Sequence, residues 1–279
     1  MPELPEVETV RRTLAPILGA RVTGVSAHRV ALHMGRRIDP AALRRASAGA
    51  VVDRVDRWGK YLLWYFAGRD TGVLVHLGMT GRLRVVPPGA PRDPHTHAVW
   101  TLADGRTVRF SDPRRFGLVD VFGRGAERAH PSLAPLGIDA LDGPLTGRAL
   151  ARLAAGSGQA IKALLLDQRK IAGIGNIYAC EALWRARIAP ALPARELDGE
   201  RAGRLARAVR AALRAALDHG GTSLRDFVNA AGNPGSYRDH LRIYGRAGRR
   251  CPRRGCRGTI VRTAIQGRAT FHCPTCQAT

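Results

Sequence analysis

Tyr61-Leu-Leu-Trp-Tyr-Phe66 and, a few residues later, Val73-Leu-Val-His-Leu77 decide how the first half of this chain folds. Both are short apolar runs rich in aromatic and β-branched residues, and turn-forming residues separate them, which is typical of β-strands. Similar runs recur through residues 21–122, and Asp104-Gly105 between two of them is a hairpin signature. Strands this short and this closely spaced predict an antiparallel β-sandwich. The predicted strands cover residues 51–55, 61–66, 73–77, 83–86, 98–102, 108–110 and 118–122.

The segments on either side of this β-rich region have a helical pattern. The first stretch predicts a helix, because Val7, Val10 and Leu14 recur at helical spacing after Pro5, and Gly19 ends the pattern. The later part of the chain is rich in Ala, Leu and Arg and predicts helices at about 146–155, 158–167, 176–187, 198–219 and 222–230. We therefore expect an α+β multidomain chain with an N-terminal β-sandwich domain over 1–123, a linker over 124–145, a helical domain over 146–248 and a small metal module over 249–279.

The charge of the chain indicates a polyanionic partner. Its 279 residues carry 45 Lys+Arg against 22 Asp+Glu, a formal net charge of +23. An excess of this size favours non-specific binding to nucleic acid. There is no run of eighteen apolar residues, no signal peptide and no basic amphipathic anchor helix, so we expect no membrane partner and a cytoplasmic location. Nucleic acid is the expected partner.

The cysteines of the tail predict a metal site. Four of the five lie within the last 29 residues, as C-x4-C, then sixteen residues, then C-x2-C. Two such pairs match a tetrahedral structural zinc site in which thiolates supply all four ligands. A redox-active C-x-x-C is the alternative for the second pair, and the first pair argues against it. Between the pairs, two short runs predict a β-hairpin with Arg268 next to its turn. The predicted zinc ligands are Cys251, Cys256, Cys273 and Cys276.

The N-terminus offers an amine nucleophile. Initiator methionine is normally removed before proline, and this would expose Pro2 as a secondary amine with a pKa near 8. Such an amine attacks a sugar C1′ or an aldehyde to give an iminium ion, which permits β-elimination. Glu3 beside it is a candidate general acid or base. From the residues alone, Pro2 and Glu3 also fit an ordinary helix start, and that alternative stays open.

Five motifs that together span the whole chain resemble motifs of the bacterial formamidopyrimidine-DNA glycosylases, in which they occur in the same order. This resemblance implies a base-excision repair enzyme that flips an oxidised purine out of duplex DNA, cleaves the glycosidic bond and nicks the strand on both sides of the lesion. The motifs are Met1-Pro-Glu-Leu-Pro-Glu-Val-Glu-Thr-Val10, His76-Leu-Gly-Met79, Asp112-Pro-Arg-Arg-Phe-Gly117, Gly173-Ile-Gly-Asn-Ile-Tyr178 and the terminal cysteine ribbon.

The resemblance implies roles for the catalytic residues. It makes Pro2 the Schiff-base nucleophile and Glu3 the proton donor for base removal and sugar opening. Glu6 stands where the family keeps a supporting carboxylate. Lys60 matches a lysine that contacts phosphate and assists β-elimination, and Arg268 matches an arginine assigned to phosphate contact and δ-elimination. Only three lysines occur in the chain, which fits a specific role for Lys60.

The resemblance also implies a DNA-binding set. Met79, Arg114 and Phe116 match the trio that fills the gap left by the extruded nucleotide, where apolar wedges unstack a base step and a guanidinium bonds the orphaned base. Without the resemblance, an interpretation of Met79 and Phe116 as core residues is a fair alternative. His95 matches a DNA-contacting histidine.

Asn176 opens a helix whose backbone N–H groups suit a phosphate, and the resemblance makes this the helix–two-turns–helix element. Lys162 is expected to support the same DNA backbone, with a solvated helix face as the alternative. Two features depart from the family pattern. The first cysteine pair has two extra residues, and Gly156-Ser-Gly-Gln159 stands where a basic run often occurs. These departures predict a different first knuckle and a weakened phosphate contact.

Two other functions are alternatives to a glycosylase for oxidised purines. The endonuclease VIII branch shares the nucleophile and the ribbon but prefers oxidised pyrimidines. Leu4, the Asp112–Gly117 motif and Gly220-Gly-Thr-Ser-Leu-Arg-Asp-Phe227, which resembles a loop that closes over a flipped purine, favour the purine branch. A non-catalytic reader of damaged DNA would have no need of an amine nucleophile. We therefore expect a monomeric bacterial enzyme on nucleoid DNA, with one structural zinc.

Overall fold

The computed structural model describes residues 2–28, 30–32, 36–223 and 227–278, with the side chain of Arg36 left out. Contacts divide the chain into two compact units. The first consists of Met1–Ala134 and His219–Ser236, and the second of Pro135–Asp218 and Tyr237–Thr279. The mixed α+β architecture with antiparallel sheets, a helical region and a terminal cysteine hairpin confirms the predicted fold class.

The first unit begins with helix α1 and then becomes a sandwich of antiparallel strands. Its helices are α1 (Leu4–Thr13), α2 (Pro40–Ser47) and the short 3-10 helices Ala15–Ile17 and Glu127–Ala129. Its strands are β1 (Val22–Ala27), β2 (Ala31–Leu32), β3 (Arg36–Arg37), β4 (Val52–Trp58), β5 (Tyr61–Phe66), β6 (Thr71–His76), β7 (Arg82–Val86), β8 (Thr96–Leu102), β9 (Thr107–Ser111) and β10 (Leu118–Gly123).

Two four-stranded sheets, in the orders β1-β8-β9-β7 and β10-β6-β5-β4, make the sandwich. All seven strands predicted from apolar runs are present, and Gly105 (φ +83°) turns the β8–β9 hairpin. The centre of the core is a pair of completely buried indoles, one from each sheet. The ring centroids of Trp64 on β5 and Trp100 on β8 lie 5.1 Å apart. Trp100 also donates to Ser47 Oγ at 3.2 Å, which fastens α2 to the sandwich.

The sequence did not predict the strands β1, β2 and β3 of this unit or its helix α2. The helix predicted over 222–230 is wrong for the described part of that segment. Thr222 forms a bridge with Ser236, and residues 227–229 are not helical. The Ala230 N–H donates instead to Thr13 Oγ1 on α1 at 3.0 Å, and its carbonyl accepts the Val85 N–H at 2.8 Å. These long-range bonds use the backbone groups that a helix would pair locally.

The second unit is mainly helical. Its helices are α3 (Gly147–Ala154), α4 (Ile161–Leu166), α5 (Asn176–Ala186) and α6 (Gly199–Asp218), with 3-10 helices Ala194–Glu196 and Tyr237–His240. Its strands are the parallel pair β11 (Ile138–Asp139) and β12 (Ile171–Ala172) and the terminal hairpin β13 (Val261–Ile265) and β14 (Arg268–His272). Helix α5 packs against both α6 and β14, so it connects the helical layer to the hairpin. None of the helices in the described ranges is long and apolar enough to cross a bilayer.

A substitution at Gly72 on β6 would test how tightly the sandwich is packed. A Cβ there would lie 2.4 Å from Phe122 Cζ and 2.5 Å from the Trp64 carbonyl oxygen, whereas one at Gly24 on β1 would lie 3.7 Å from its nearest neighbour. We expect Gly72→Ala to lower the free energy of unfolding by about 2 kcal/mol because the Trp64 backbone cannot move away. Gly24→Ala is the matched control and should change it by less than about 0.5 kcal/mol. Urea denaturation measures both, and equal effects would contradict this account.

Candidate functional site

The start of α1 holds the predicted nucleophile beside two buried carboxylates. Pro2, Glu3 and Glu6 are all buried, and Glu3 is the N-cap residue of the helix. Glu6 Oε2 accepts the Glu3 N–H at 2.8 Å. Its other oxygen accepts the Thr222 N–H at 2.7 Å. Glu6 therefore fixes the backbone next to Pro2 and connects it to the segment His219–Ser236.

The segment that Glu6 reaches corresponds to the loop expected to close over a flipped base. Gly221 (φ +85°) comes so close that a Cβ there would lie 3.0 Å from Glu6 Oε1. Leu224, Arg225 and Asp226 of this loop lie outside the described residues, as does Met1, whose removal the mechanism predicts. The described start of the loop is thus attached to the same carboxylate that holds the N-terminus.

Lys60 lies in the tight turn between β4 and β5, and its side chain is buried. Gly59 (φ +57°) makes this turn possible, and Arg57 Nη1 donates to the Gly59 carbonyl at 2.9 Å. The same guanidinium, 1% exposed, contacts Glu8 Oε2 at 3.3 Å. Arg57 therefore joins the turn that carries Lys60 to helix α1, which carries Pro2 and Glu3.

The charge of Glu8 supports this connection. Burial raises the pKa of Glu8, but hydrogen bonds and ion pairs with Arg11, Arg12 and Arg57 outweigh burial, and the pKa lies below its ordinary value. The carboxylate on α1 therefore stays charged at neutral pH, and the ion pair with Arg57 is maintained.

Met79 and Phe116 project into solvent. They are 41% and 44% exposed, and with Leu18 they are the exposed large hydrophobic residues of the described chain. The interpretation of Met79 and Phe116 as core residues is therefore wrong. Arg114 lies over the Phe116 ring, its Cζ 4.7 Å from the centroid. The predicted wedge residues thus form one exposed apolar and cationic surface.

The turns beneath this surface touch through their backbones. A Cβ on Gly78 (φ +60°) would lie 2.4 Å from the Phe116 carbonyl, and a Cβ on Gly117 would lie 2.7 Å from the His76 carbonyl oxygen. Only glycine at these positions allows the two turns to approach so closely. His95, the other predicted DNA contact of this unit, is exposed just before β8.

In the second unit, two predicted DNA-binding residues converge on the hairpin that carries Arg268. The hairpin turns at Gln266 and Gly267, and Arg268 is exposed at the start of β14, as the sequence predicted. Lys162 is completely buried, and its Nζ donates to the Ala269 carbonyl at 3.1 Å and to Thr270 Oγ1 at 2.8 Å. The alternative of a solvated helix face is therefore wrong for Lys162.

Asn176 binds the same point of the hairpin. It is the first residue of α5, and its Nδ2 donates to the Ala269 carbonyl at 2.9 Å. Lys162 and Asn176 thus hold the strand directly after Arg268. Their own contacts with DNA stay predictions.

Glu181, in the middle of α5, is a positioning residue that sequence reasoning missed. It is completely buried, and its Oε1 accepts the N–H groups of Arg242, Ile243 and Tyr244 at 3.0, 2.9 and 3.0 Å. A lone acid in the apolar run Tyr-Ala-Cys-Glu-Ala-Leu-Trp was the available signal. The carboxylate shapes the chain that leads to Tyr244, whose ring packs on Phe271 of the hairpin.

The four terminal cysteines form a structural zinc site. Their Sγ atoms all lie within 4.8 Å of one another, with Cys251 to Cys276 at 3.8 Å and Cys256 to Cys273 at 3.7 Å. Tetrahedral zinc with Zn–S bonds of about 2.3 Å separates its sulfurs by about 3.8 Å. The four thiolates would hold the ion and leave no open position on it, so its role is to fold the ribbon.

The lengthened first knuckle is anchored on helix α5. Arg253, inside C-x4-C, lies over the Trp184 ring with its Cζ 4.7 Å from the centroid, and its guanidinium donates to the Trp184 carbonyl. The Trp184 indole donates in turn to Cys251 Sγ at 3.4 Å. Burial raises the pKa of Cys251, but the bonds from Trp184 and from the Arg253 backbone outweigh it and lower the pKa to about 7. The departure from the family spacing thus comes with a contact of its own.

Comparison with known proteins relates both parts of the chain to one family. Residues 1–119 match the formamidopyrimidine-DNA glycosylase N-terminal domain, and residues 136–228 match the formamidopyrimidine-DNA glycosylase H2TH domain. The formamidopyrimidine-DNA glycosylase of Methylococcus capsulatus is 44% identical over 279 residues, covering 99% of this chain and 100% of the relative.

Two solved structures show the same similarity in three dimensions. The crystal structure of the MutM (Fpg) protein from Thermus thermophilus has a TM-score of 0.85 and 42% identity, and the match covers 99% of this chain and 98% of that one. The Lactococcus lactis Fpg (MutM), in complex with DNA that contains N7-benzyl-Fapy-dG, has a TM-score of 0.88 and 30% identity, with 100% of both chains covered.

The contact of Arg253 with Trp184 predicts how firmly the ribbon holds zinc. Protein purified without chelator should contain about one zinc per chain. Arg253→Ala removes a cation–π contact and a hydrogen bond, together worth about 1–2 kcal/mol, and should release zinc about tenfold faster to a chromophoric chelator. The control is Arg254→Ala, since Arg254 is an exposed arginine of the same knuckle. Identical release from both variants would contradict a role for the Trp184 contact.

Proposed function

Because this chain belongs to the formamidopyrimidine-DNA glycosylase family, we propose that the terminal nitrogen of Pro2 is the nucleophile of its reaction. The chain is a bifunctional DNA glycosylase and AP lyase that removes oxidised purines from duplex DNA. The observation that carries the residue assignment is the buried start of α1, where Pro2 lies next to Glu3 and Glu6.

The reaction begins at C1′ of the damaged nucleoside. With Met1 removed, the Pro2 nitrogen is a secondary amine whose ordinary pKa near 8 leaves an appreciable neutral fraction at pH 7. Its lone pair forms the bond to C1′ as the glycosidic bond breaks and its electrons leave with the base. Glu3 supplies the proton that base departure and sugar opening require. The Pro2 nitrogen gives up its own proton, the C1′–O4′ bond breaks with its electrons on the protonated O4′, and the product is an iminium ion between Pro2 and C1′.

The iminium ion then drives strand cleavage. Loss of a proton from C2′ expels the 3′ phosphate by β-elimination, and a second elimination expels the 5′ phosphate. Lys60 assists the first elimination and Arg268 contacts the phosphate expelled in the second. The support for Lys60 is its turn, which Arg57 and Glu8 attach to helix α1. The support for Arg268 is its exposed position on a hairpin held by Lys162 and Asn176.

Flipping is assigned to the exposed residues of the sandwich unit. Met79 and Phe116 enter the space that the extruded nucleotide leaves, and Arg114 bonds the base opposite. His95 contacts the DNA backbone nearby. The exposed fractions of Met79 and Phe116 support this assignment, because an apolar side chain in solvent is available to enter a base stack.

We also propose that one chain acts alone, in the cytoplasm, on nucleoid DNA. The formal net charge of +23 supports the part of this proposal that concerns DNA.

The nucleophile is tested by trapping. Intact mass of active protein should show loss of Met1, and borohydride added during reaction with an 8-oxoguanine duplex should capture a covalent adduct at the N-terminal peptide. An uncleaved N-terminal extension should abolish trapping, because an acylated nitrogen forms no iminium, while binding to damaged DNA persists.

Glu3→Gln separates the two activities. It should lose base excision by at least about 100-fold, yet keep some nicking of a preformed abasic site where no base has to leave. Efficient trapping through Lys60 in the extended protein would show that the nucleophile is another amine.

The wedge is tested by comparing two substrates. Met79→Ala and Phe116→Ala should each slow excision of a paired 8-oxoguanine about tenfold, with less effect on nicking an abasic site that is already poorly stacked. Leu18→Ala is the matched control, since Leu18 is equally exposed and belongs to the same unit. Equal losses on both substrates would indicate a packing role instead.

A further inference from the structure

Asp112 is a completely buried acid that none of the assigned roles uses. It follows β9 directly and begins the turn that carries Arg114 and Phe116. An acidic side chain without exposure needs hydrogen bonds to offset the loss of water. The identity of its partners therefore shows which parts of the fold depend on it.

The carboxylate of Asp112 bonds to both turns under the wedge. Oδ1 accepts the Thr80 hydroxyl at 2.6 Å, and Thr80 directly follows Met79. Oδ2 accepts the Gly117 N–H at 2.7 Å, and Gly117 directly follows Phe116. Oδ1 also lies 3.3 Å from the Arg114 N–H. One side chain thus bonds the residues that follow Met79 and Phe116 and also the backbone of Arg114 itself.

The backbone of Asp112 reaches a third segment. Its N–H donates to the His95 carbonyl at 3.0 Å, and its carbonyl lies 2.9 Å from His97 Nε2. The neighbouring pair, Thr96 and Ser111, joins its hydroxyls at 2.9 Å. The exposed His95 is therefore attached to the same residue as the two turns.

We propose that Asp112 is the positioning residue of the DNA-probing surface, connecting the Met79 turn, the Arg114–Phe116 turn and the His95 segment into one preassembled element. The proposal rests on the DNA-binding roles proposed above and adds to them the group that fixes their mutual geometry. Separating two stacked bases costs free energy, and a wedge residue on a mobile turn would move aside instead of separating them. Turns that Asp112 already holds in place before DNA binds would not move aside in this way.

Thr80 offers the sharpest test, because its hydroxyl can be removed without changing the shape of the side chain. Thr80→Val deletes the shortest bond to Asp112, whereas Thr80→Ser keeps the hydroxyl. We expect Thr80→Val to excise paired 8-oxoguanine about tenfold more slowly and to nick a preformed abasic site within about twofold of the wild-type rate. Thr80→Ser should restore excision to within about threefold.

Asp112→Asn is the direct variant. Its amide oxygen can still accept the Gly117 N–H while its N–H₂ donates to the Thr80 hydroxyl, which can act as an acceptor, but that N–H₂ then faces the Arg114 N–H, and the negative charge is lost. Excision should fall about tenfold. Asp104→Asn is the matched control, since Asp104 lies at the other end of the same β8–β9 hairpin and bonds Arg106. Urea denaturation identifies any variant that has simply lost its fold, in which case the Thr80 pair decides.

A fluorescence measurement separates positioning from chemistry. A duplex with an uncleavable tetrahydrofuran abasic site flanked by 2-aminopurine should brighten on binding as the wedge unstacks the step. We expect Thr80→Val to reduce the amplitude or rate of this change about tenfold at saturating protein, and Thr80→Ser to restore it. Wild-type brightening by Thr80→Val, or equal impairment of Thr80→Val and Thr80→Ser, would overturn the proposal. A wild-type protein that excises no 8-oxoguanine would overturn the proposed function, while the fluorescence assay would still test Asp112.

Discussion

The reactive group that we propose for this enzyme is the end of its own chain, and a chain terminus is ordinarily the least ordered part of a protein. The first helix resolves this difficulty by being buried from its first turn. Glu6 accepts the N–H next to Pro2, and Glu8 pairs with an arginine that also holds the turn carrying Lys60. The rest of the sandwich serves as the support for this helix. Its core of strands and paired indoles gives a few atoms at the N-terminus a fixed position.

Buried carboxylates perform the same task at three places in a chain that is otherwise dominated by arginine. Glu6, Asp112 and Glu181 each accept backbone N–H groups from residues distant in sequence or from a tight turn. Glu6 bonds the segment expected to close over the lesion, and Asp112 bonds the turns that carry the proposed wedge. Glu181 bonds the segment that leads to the terminal hairpin. Charge thus has two separate uses. The arginines give the surface the positive charge that attracts nucleic acid, and a small number of buried acids determine the shape of the parts that we propose to touch it.

Local pattern predicted the seven strands and the zinc ribbon, because short apolar runs between turn residues and the spacing of cysteines express those structures within a few positions. Helix α2 was within reach of the same rules, since Asp39 caps it ahead of Pro40, but the β-rich surroundings outweighed this signal. The segment after Gly221 could not be predicted in this way. Its backbone groups bond to Glu6, Thr13 and Val85, and no local pattern records such partners. The residues at the N-terminus made Pro2 and Glu3 candidates beside the alternative of an ordinary helix start, and only the resemblance favoured a catalytic role for them and implied the wedge.

The contact between the Gly78 and Gly117 turns has a consequence for how such an enzyme can diversify. Where two backbones meet with no room for a methyl group, the spacing of the Met79 and Phe116 stems is a fixed dimension of the scaffold. Evolution can therefore change the length, bulk or charge of the two side chains, while the distance between the backbone positions that carry them stays the same. A lineage that came to probe a wider or narrower gap in DNA would have to rebuild both turns together, which separates gradual tuning from a rare structural innovation.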